Sequence, residues 1–131
     1  IIYKKFGEGR EFLIVDSAMN DLIRPSLYAA YHEILPIKEP NNNSSFVCYD
    51  VVGPVCETGD TFATQRSLMK MESGELLAFM SAGAYGSVMA SEYNTRPLIP
   101  EVLVKGDNFS IIRARPLVED IIQRDIVPDW V

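Results

Sequence analysis

Cysteine and histidine are scarce in this 131-residue chain. The two cysteines, Cys48 and Cys56, are too few for a disulfide framework, and without C-x-x-C spacing they form no metal-ligand pair. The single histidine, His32, follows an aromatic residue and reads as structural. No metal site is expected. Basic charge is also short: 12 Lys and Arg stand against 18 Asp and Glu, a formal charge of −6 that removes any general attraction to nucleic acid or anionic lipid. No apolar run approaches the roughly 20 residues that span a bilayer, so no membrane partner is expected. The opening Ile-Ile-Tyr-Lys-Lys alternates in character and builds no apolar signal-peptide core. Free thiols then point most simply to the cytoplasm. The chain starts at Ile1 within a strand-like run and reads as a piece of something longer.

What is present suits one soluble domain spanning residues 1–131, since 47% hydrophobic and 23% charged residues are ordinary globular values. Strand-like runs rich in Val, Ile, Phe and Tyr fall at 1–6, 11–16, 45–53, 62–68, 75–81, 87–91, 101–105 and 109–115. Gly7-Glu8-Gly9, Glu72-Ser73-Gly74 and Gly106-Asp107-Asn108 read as turns, because Gly, Asn and Asp tolerate the positive φ of tight hairpins. Short helices are expected over 25–31 and 117–124, the second with Glu119 and Asp120 in its first turn, where the helix dipole favours acids. The expected fold is mainly β, a barrel or sandwich with short helices and no (β/α)8 barrel in this chain.

Three segments could carry chemistry. Gly53-Pro54-Val55-Cys56-Glu57-Thr58-Gly59-Asp60 follows a strand and places a thiol beside a carboxylate, with a second carboxylate three residues on. Such a loop on a rigid scaffold is where functional groups are presented, although a tight turn with a buried Cys and two solvated acids would use the same residues. Gly83-Ala84-Tyr85-Gly86 frames one aromatic between glycines, either a packing Tyr in a hairpin turn or a phenol placed to stack on or bond a ligand. Arg24 and Tyr28 lie one turn apart if the helix from Pro25 forms, and a guanidinium there would suit a carboxylate, or simply solvent. Tyr93-Asn94-Thr95-Arg96-Pro97 reads as turn chemistry only.

Taken together, D-x-A-M-N-D-L-I-R-P-x-L-Y, G-P-V-C-E-T-G-D, G-A-Y-G-x-x-M-A-S-x-Y-N-x-R-P and E-V-L-V closely resemble the C-terminal half of the diaminopimelate decarboxylases, alanine-racemase-like pyridoxal-phosphate enzymes. The resemblance runs from about residue 14 to 104 and departs mildly at Thr58, where many relatives carry Ser. It implies a homodimer of two-domain subunits, pyridoxal 5'-phosphate as cofactor, and conversion of meso-2,6-diaminopimelate to L-lysine and CO2. The Schiff-base lysine of such enzymes sits on a (β/α)8 barrel, and none of Lys4, Lys5, Lys38, Lys70 or Lys105 has a matching context. Carried over by position, Arg24 and Tyr28 bind substrate, with Arg24 on the distal carboxylate. Cys56 returns a proton after CO2 leaves, Glu57 binds an amino group of the substrate, and Tyr85 lies near both substrate and cofactor. An ordinary thiol, with a pKa near ~8.5, is protonated at neutral pH and can serve as that acid. The resemblance further implies shared active sites, with Cys56 and Glu57 reaching into the partner's pocket. The competing readings are a decarboxylase of the same fold acting on ornithine, arginine or carboxynorspermidine, and a non-catalytic dimerisation module. Of the two thiols, Cys56 on its loop is expected to be reactive, and Cys48, inside an apolar strand, inert.

Overall fold

A computed structural model describes residues 1–131. β1 (Tyr3–Gly7) and β2 (Arg10–Ile14) form an antiparallel hairpin closed by Glu8 and Gly9. Both take positive φ, 54° and 75°, as a two-residue type I′ turn demands. β2 then pairs in parallel with β4 (Phe46–Val52), which pairs antiparallel with β5 (Thr61–Met69), so the main sheet has the order β1-β2-β4-β5. A parallel pair needs a long crossover. Here that crossover carries α1 (Arg24–Tyr28) and β3 (Ile34–Pro36), and β3 pairs with β6 (Leu77–Phe79) in a separate ribbon. After β6 come α2 (Gly83–Met89) and a 3-10 turn at Tyr93–Thr95. The hairpin of β7 (Glu101–Lys105) and β8 (Asn108–Arg113) follows, and then α3 (Val118–Ile122).

One face of the main sheet is buried. Leu13, Tyr49, Val51, Phe62 and Leu68 meet Val15, Leu22, Ile34, Met69 and Met71 in a single cluster. Tyr49 is fully buried, and its hydroxyl accepts a hydrogen bond from the Met71 backbone N–H at 3.2 Å, which satisfies the one polar atom of that side chain. Asp50 breaks the alternation by being buried as well, for a local reason. Its carboxylate accepts the N–H of Gln65 at 2.7 Å, where Gln65 takes φ 50° in an irregular stretch of the β4–β5 pairing, and it also accepts from Arg10 at 3.2 Å.

The mainly-β expectation is met, and the strands lie in three separate sheets rather than one closed barrel. Seven of the eight expected strand runs contain strands; residues 87–91 instead belong mostly to α2, and β3 takes the eighth place. α2 packs against the 21–22 segment at the buried Gly86, where a notional Cβ would stand 3.8 Å from the Asp21 carbonyl oxygen and 3.9 Å from the Leu22 side chain, ordinary packing distances. Such docking has no signature in the local pattern. The helix expected over 117–124 is present over Val118–Ile122, capped by the Asp120 carboxylate, which accepts the Leu117 N–H at 2.8 Å.

Candidate active site

The loop from Gly53 to Asp60 is held from inside by its last residue. Asp60 is 2% exposed, and its carboxylate accepts the N–H groups of Met19 at 2.6 Å and Val55 at 2.7 Å. The expectation of a second presented or solvated acid here is therefore corrected: Asp60 faces inward and organises the loop. Gly53 is required by the same geometry, because a Cβ at that position would stand 2.3 Å from both Asp60 carboxylate oxygens. Gly59 lies under Ser26 of α1, whose hydroxyl donates to the Gly59 carbonyl, so the loop is tied to the helix that carries Arg24. Cys56 and Glu57 are left exposed at the loop's outer side.

Arg24 and Tyr28 both lie in α1, one turn apart as expected. Arg24 is half-buried and forms no ion pair, whereas Arg10, Arg96, Arg113 and Arg124 each hold a carboxylate. Its guanidinium instead stacks over Tyr85, 4.9 Å from the ring centroid, a cation–π contact that orients both groups. Tyr85 is thereby brought beside Arg24, although its setting is corrected: Gly83-Ala84-Tyr85-Gly86 is the first turn of α2, not a hairpin turn. The phenols of Tyr28 and Tyr85 are exposed. By direct contact the expected residues fall into two groups, Arg24 with Tyr85 and Cys56 with Glu57, and the Ser26–Gly59 hydrogen bond links the helix of the first to the loop of the second.

Tyr93 belongs with the second group. Its phenol donates to Glu57 Oε2 at 2.9 Å, and its pKa is raised by that hydrogen bond first and then by the negative charge of Glu57. From the sequence Tyr93 reads only as part of a turn. The available signal was an aromatic followed by Asn, in the same motif string that holds Tyr85. The turn is fastened to the D-x-A-M-N-D segment: Arg96 donates to Asn20 Oδ1 at 3.1 Å and to the Asp16 carbonyl at 2.5 Å, and lies 3.6 Å from Asp21. Asn20 also donates to the Ser91 carbonyl at 3.1 Å. These contacts, gathered around the buried Asn20 and Asp21, join two motifs that are far apart in sequence.

The other expectations divide. His32 is buried with Nδ1 3.0 Å from the Met80 carbonyl oxygen, a structural role as expected. Cys48 does lie on β4 but is exposed, which corrects its expected burial: Tyr49 and Val51 take the core side, and Cys48 falls on the opposite face of the sheet. For a pyridoxal cofactor, the chain offers one flank of a site. Tyr85 presents an exposed phenol steadied by Arg24, while Lys4 is engaged by Glu72 at 2.9 Å and the Met71 carbonyl at 3.4 Å.

This is a β domain that presents a thiol–carboxylate loop and an unpaired arginine. Residues 1–83 match the family described as pyridoxal-dependent decarboxylase, C-terminal sheet domain, and the chain belongs to that family. It is 48% identical over 130 residues to the diaminopimelate decarboxylase of Zymomonas mobilis, covering 99% of this chain and 30% of that protein. A crystal structure of diaminopimelate decarboxylase from M. jannaschii superposes with a TM-score of 0.92 at 35% identity, covering 99% of this chain and 29% of that one. The enzyme from Helicobacter pylori complexed with L-lysine superposes with a TM-score of 0.84 at 43% identity, over 95% of this chain and 30% of that one. The chain thus spans about 30% of the length of the relatives it matches.

Proposed function

We propose that residues 1–131 are the C-terminal β domain of a two-domain diaminopimelate decarboxylase, converting meso-2,6-diaminopimelate to L-lysine and CO2. The observation that carries this reading is Arg24. A half-buried guanidinium without a carboxylate partner, oriented by Tyr85, has its planar donor fork free for a ligand carboxylate. Diaminopimelate keeps a second carboxylate after the reacting one is lost. Ornithine has none to offer Arg24, which disfavours the reading as a decarboxylase of that substrate.

In this reading Tyr28 and Tyr85 form the wall beside Arg24, and Tyr85 also borders the cofactor. Pyridoxal 5'-phosphate, held by a lysine of the other domain, supplies the electron sink for loss of CO2 from the D-configured centre. Glu57 accepts an ammonium group of the substrate. Once the carbon–carbon bond has broken, Cys56 donates its S–H proton to the carbon that CO2 has left, and the thiolate regains a proton from solvent. Cys56 and Glu57, exposed on the outer side of their loop, serve the pocket of the second subunit in a homodimer. The test is a decarboxylation assay of the full-length protein on meso-diaminopimelate, ornithine and arginine. Turnover confined to diaminopimelate is expected, and preference for ornithine would overturn the assignment.

A further inference from the structure

We propose that Tyr93 is a positioning residue for Glu57, fixing one carboxylate oxygen so that the other accepts the substrate's ammonium group. The inference rests on the proposed decarboxylase reading and assigns a residue to that site.

The geometry is specific at both oxygens of Glu57. Oε2 accepts the Tyr93 hydroxyl at 2.9 Å, while Oε1 has no hydrogen-bond partner and lies 3.2 Å from where a Cβ on Gly59 would stand. A carboxylate on an exposed loop otherwise samples many rotamers, and ordering it on binding costs affinity. The phenol removes that cost before the ligand arrives. It is a short lever on a stiff base: Tyr93 opens a 3-10 turn in which Asn94 and Thr95 take φ 59° and 56°. For β-branched Thr95 that left-handed conformation is strained and persists only where the surroundings over-determine it. They do so on both sides. Before the turn, the Ser91 N–H donates to the Asn20 carbonyl at 2.9 Å, and Glu92 is paired with Arg124 at 2.5 Å. After it, Arg96 is bound to Asn20 and to the Asp16 carbonyl. Asn20 is 2% exposed, so the base of the lever is anchored in the fold. Tyr93 and Glu57 then close one side of a cleft of about 290 Å3 that Ile23, the neighbour of Arg24, also lines. The elevated phenol pKa agrees with a hydroxyl whose proton is held by a neighbouring anion.

The test is a double-mutant cycle in the full-length enzyme with Tyr93→Phe and Glu57→Gln. Tyr93→Phe removes only the hydroxyl of a half-exposed ring, so the melting temperature should hold. KM for meso-diaminopimelate and Kd for L-lysine, measured by calorimetry, should each rise about tenfold, the loss expected of a hydrogen bond to a charged group, while kcat changes less than twofold. In the Glu57→Gln background, Tyr93→Phe should change neither constant further. Glu57→Asp is the second variant: its shorter arm cannot reach both partners, so it should raise KM alone and mask Tyr93→Phe. Unchanged KM and Kd in Tyr93→Phe, or additive effects in the cycle, would overturn the proposal. If the wild-type enzyme proves to act on a different basic amino acid, the substrate assignment fails separately. The cycle run on that substrate then decides the Tyr93–Glu57 coupling by the same criteria.

Discussion

At the scale of single residues, the arrangement depends on atoms that do no chemistry. Gly53 and Asp60 illustrate this. A methyl group at Gly53 would collide with both carboxylate oxygens of Asp60 at 2.3 Å, and those oxygens hold Met19 and Val55. Gly53→Ala must therefore either distort the backbone or expel a buried, hydrogen-bonded carboxylate. We expect a loss of ~2–4 kcal/mol, from overpacking together with orphaned backbone donors, read by chemical denaturation of the full-length protein; a loss below the error of that measurement would show that the loop is not organised by Asp60. Arg24 makes the opposite case, a residue that contributes little within the chain and is open to a ligand. Arg24→Ala should lower kcat/KM for diaminopimelate by a factor corresponding to ~2–5 kcal/mol, as when a desolvated charge loses its partner. Arg24→Lys should restore little, since an ammonium cannot form the two-pronged contact. An unchanged kcat/KM would remove Arg24 from the site.

At the scale of elements, β4 shows how one strand separates two thiol environments from two kinds of function. Cys48 projects from the uncovered face of β4 and Cys56 from the loop that follows that strand, and both are exposed. In the isolated chain both should react with a thiol reagent, with two equivalents consumed before denaturation. In the full-length enzyme only Cys56→Ala should cripple turnover; loss of activity in Cys48→Ala instead would reverse the assignment. α3 presents a second element-level case. Its docking uses Arg124, just past its end, against Glu92 at 2.5 Å and 2.8 Å, and that hydrogen-bonded contact holds the Glu92 carboxyl below its usual range. Because the folded-state pKa is the depressed one, the contribution is complete above the ordinary carboxylate value of 4.5 and is lost as pH falls through the lower folded value. Amide exchange over residues 118–122, corrected for the intrinsic pH dependence, should be slower at pH 7 than at pH 3, and Glu92→Gln should abolish the difference. Arg124 is exposed and Glu92 partly so, and the effect should also shrink with added salt.

At the scale of the whole molecule, the chain leaves much of its apolar surface open. Only 18 of 131 residues are buried, and Val102, Leu103, Val104, Phe109, Ile111 and Ile112 are all exposed on the β7–β8 hairpin. A two-stranded hairpin with no covered face is marginal in water. Such a surface suits a domain that works against the remainder of a larger enzyme and, in the proposed dimer, against a second subunit. The proposed sharing of sites makes complementation the decisive measurement for that dimer. A full-length Cys56→Ala subunit mixed with one inactivated at its cofactor lysine should regain activity, because one of the two hybrid pockets has every part intact. Mixed dimers without activity would place Cys56 in its own subunit's site.

Much of this was legible in the sequence, for reasons that differ by feature. The turn at Gly7-Glu8-Gly9 announces itself through its glycines, because few residues favour positive φ, and the near-continuous apolar run over 46–52 marks β4. The motif strings brought Arg24, Tyr28, Cys56, Glu57 and Tyr85 forward, since a thiol beside a carboxylate at a Gly-Pro turn, or a phenol between glycines, is a local pattern. Whatever depended on contacts across the chain was decided only by the tertiary structure. α2 exists where residues 87–91 read as a strand, and it packs at Gly86 against Asp21 and Leu22, a segment distant in sequence. Asp60 turns inward because Met19, far away in sequence, supplies a donor, and Cys48 is exposed because no second layer covers its face of β4. Tyr93 acquires a role only when Asn20 and Arg96 bend its turn toward Glu57. Local backbone preference is written residue by residue, whereas burial and long-range hydrogen bonding belong to pairs of segments that meet only in the folded chain.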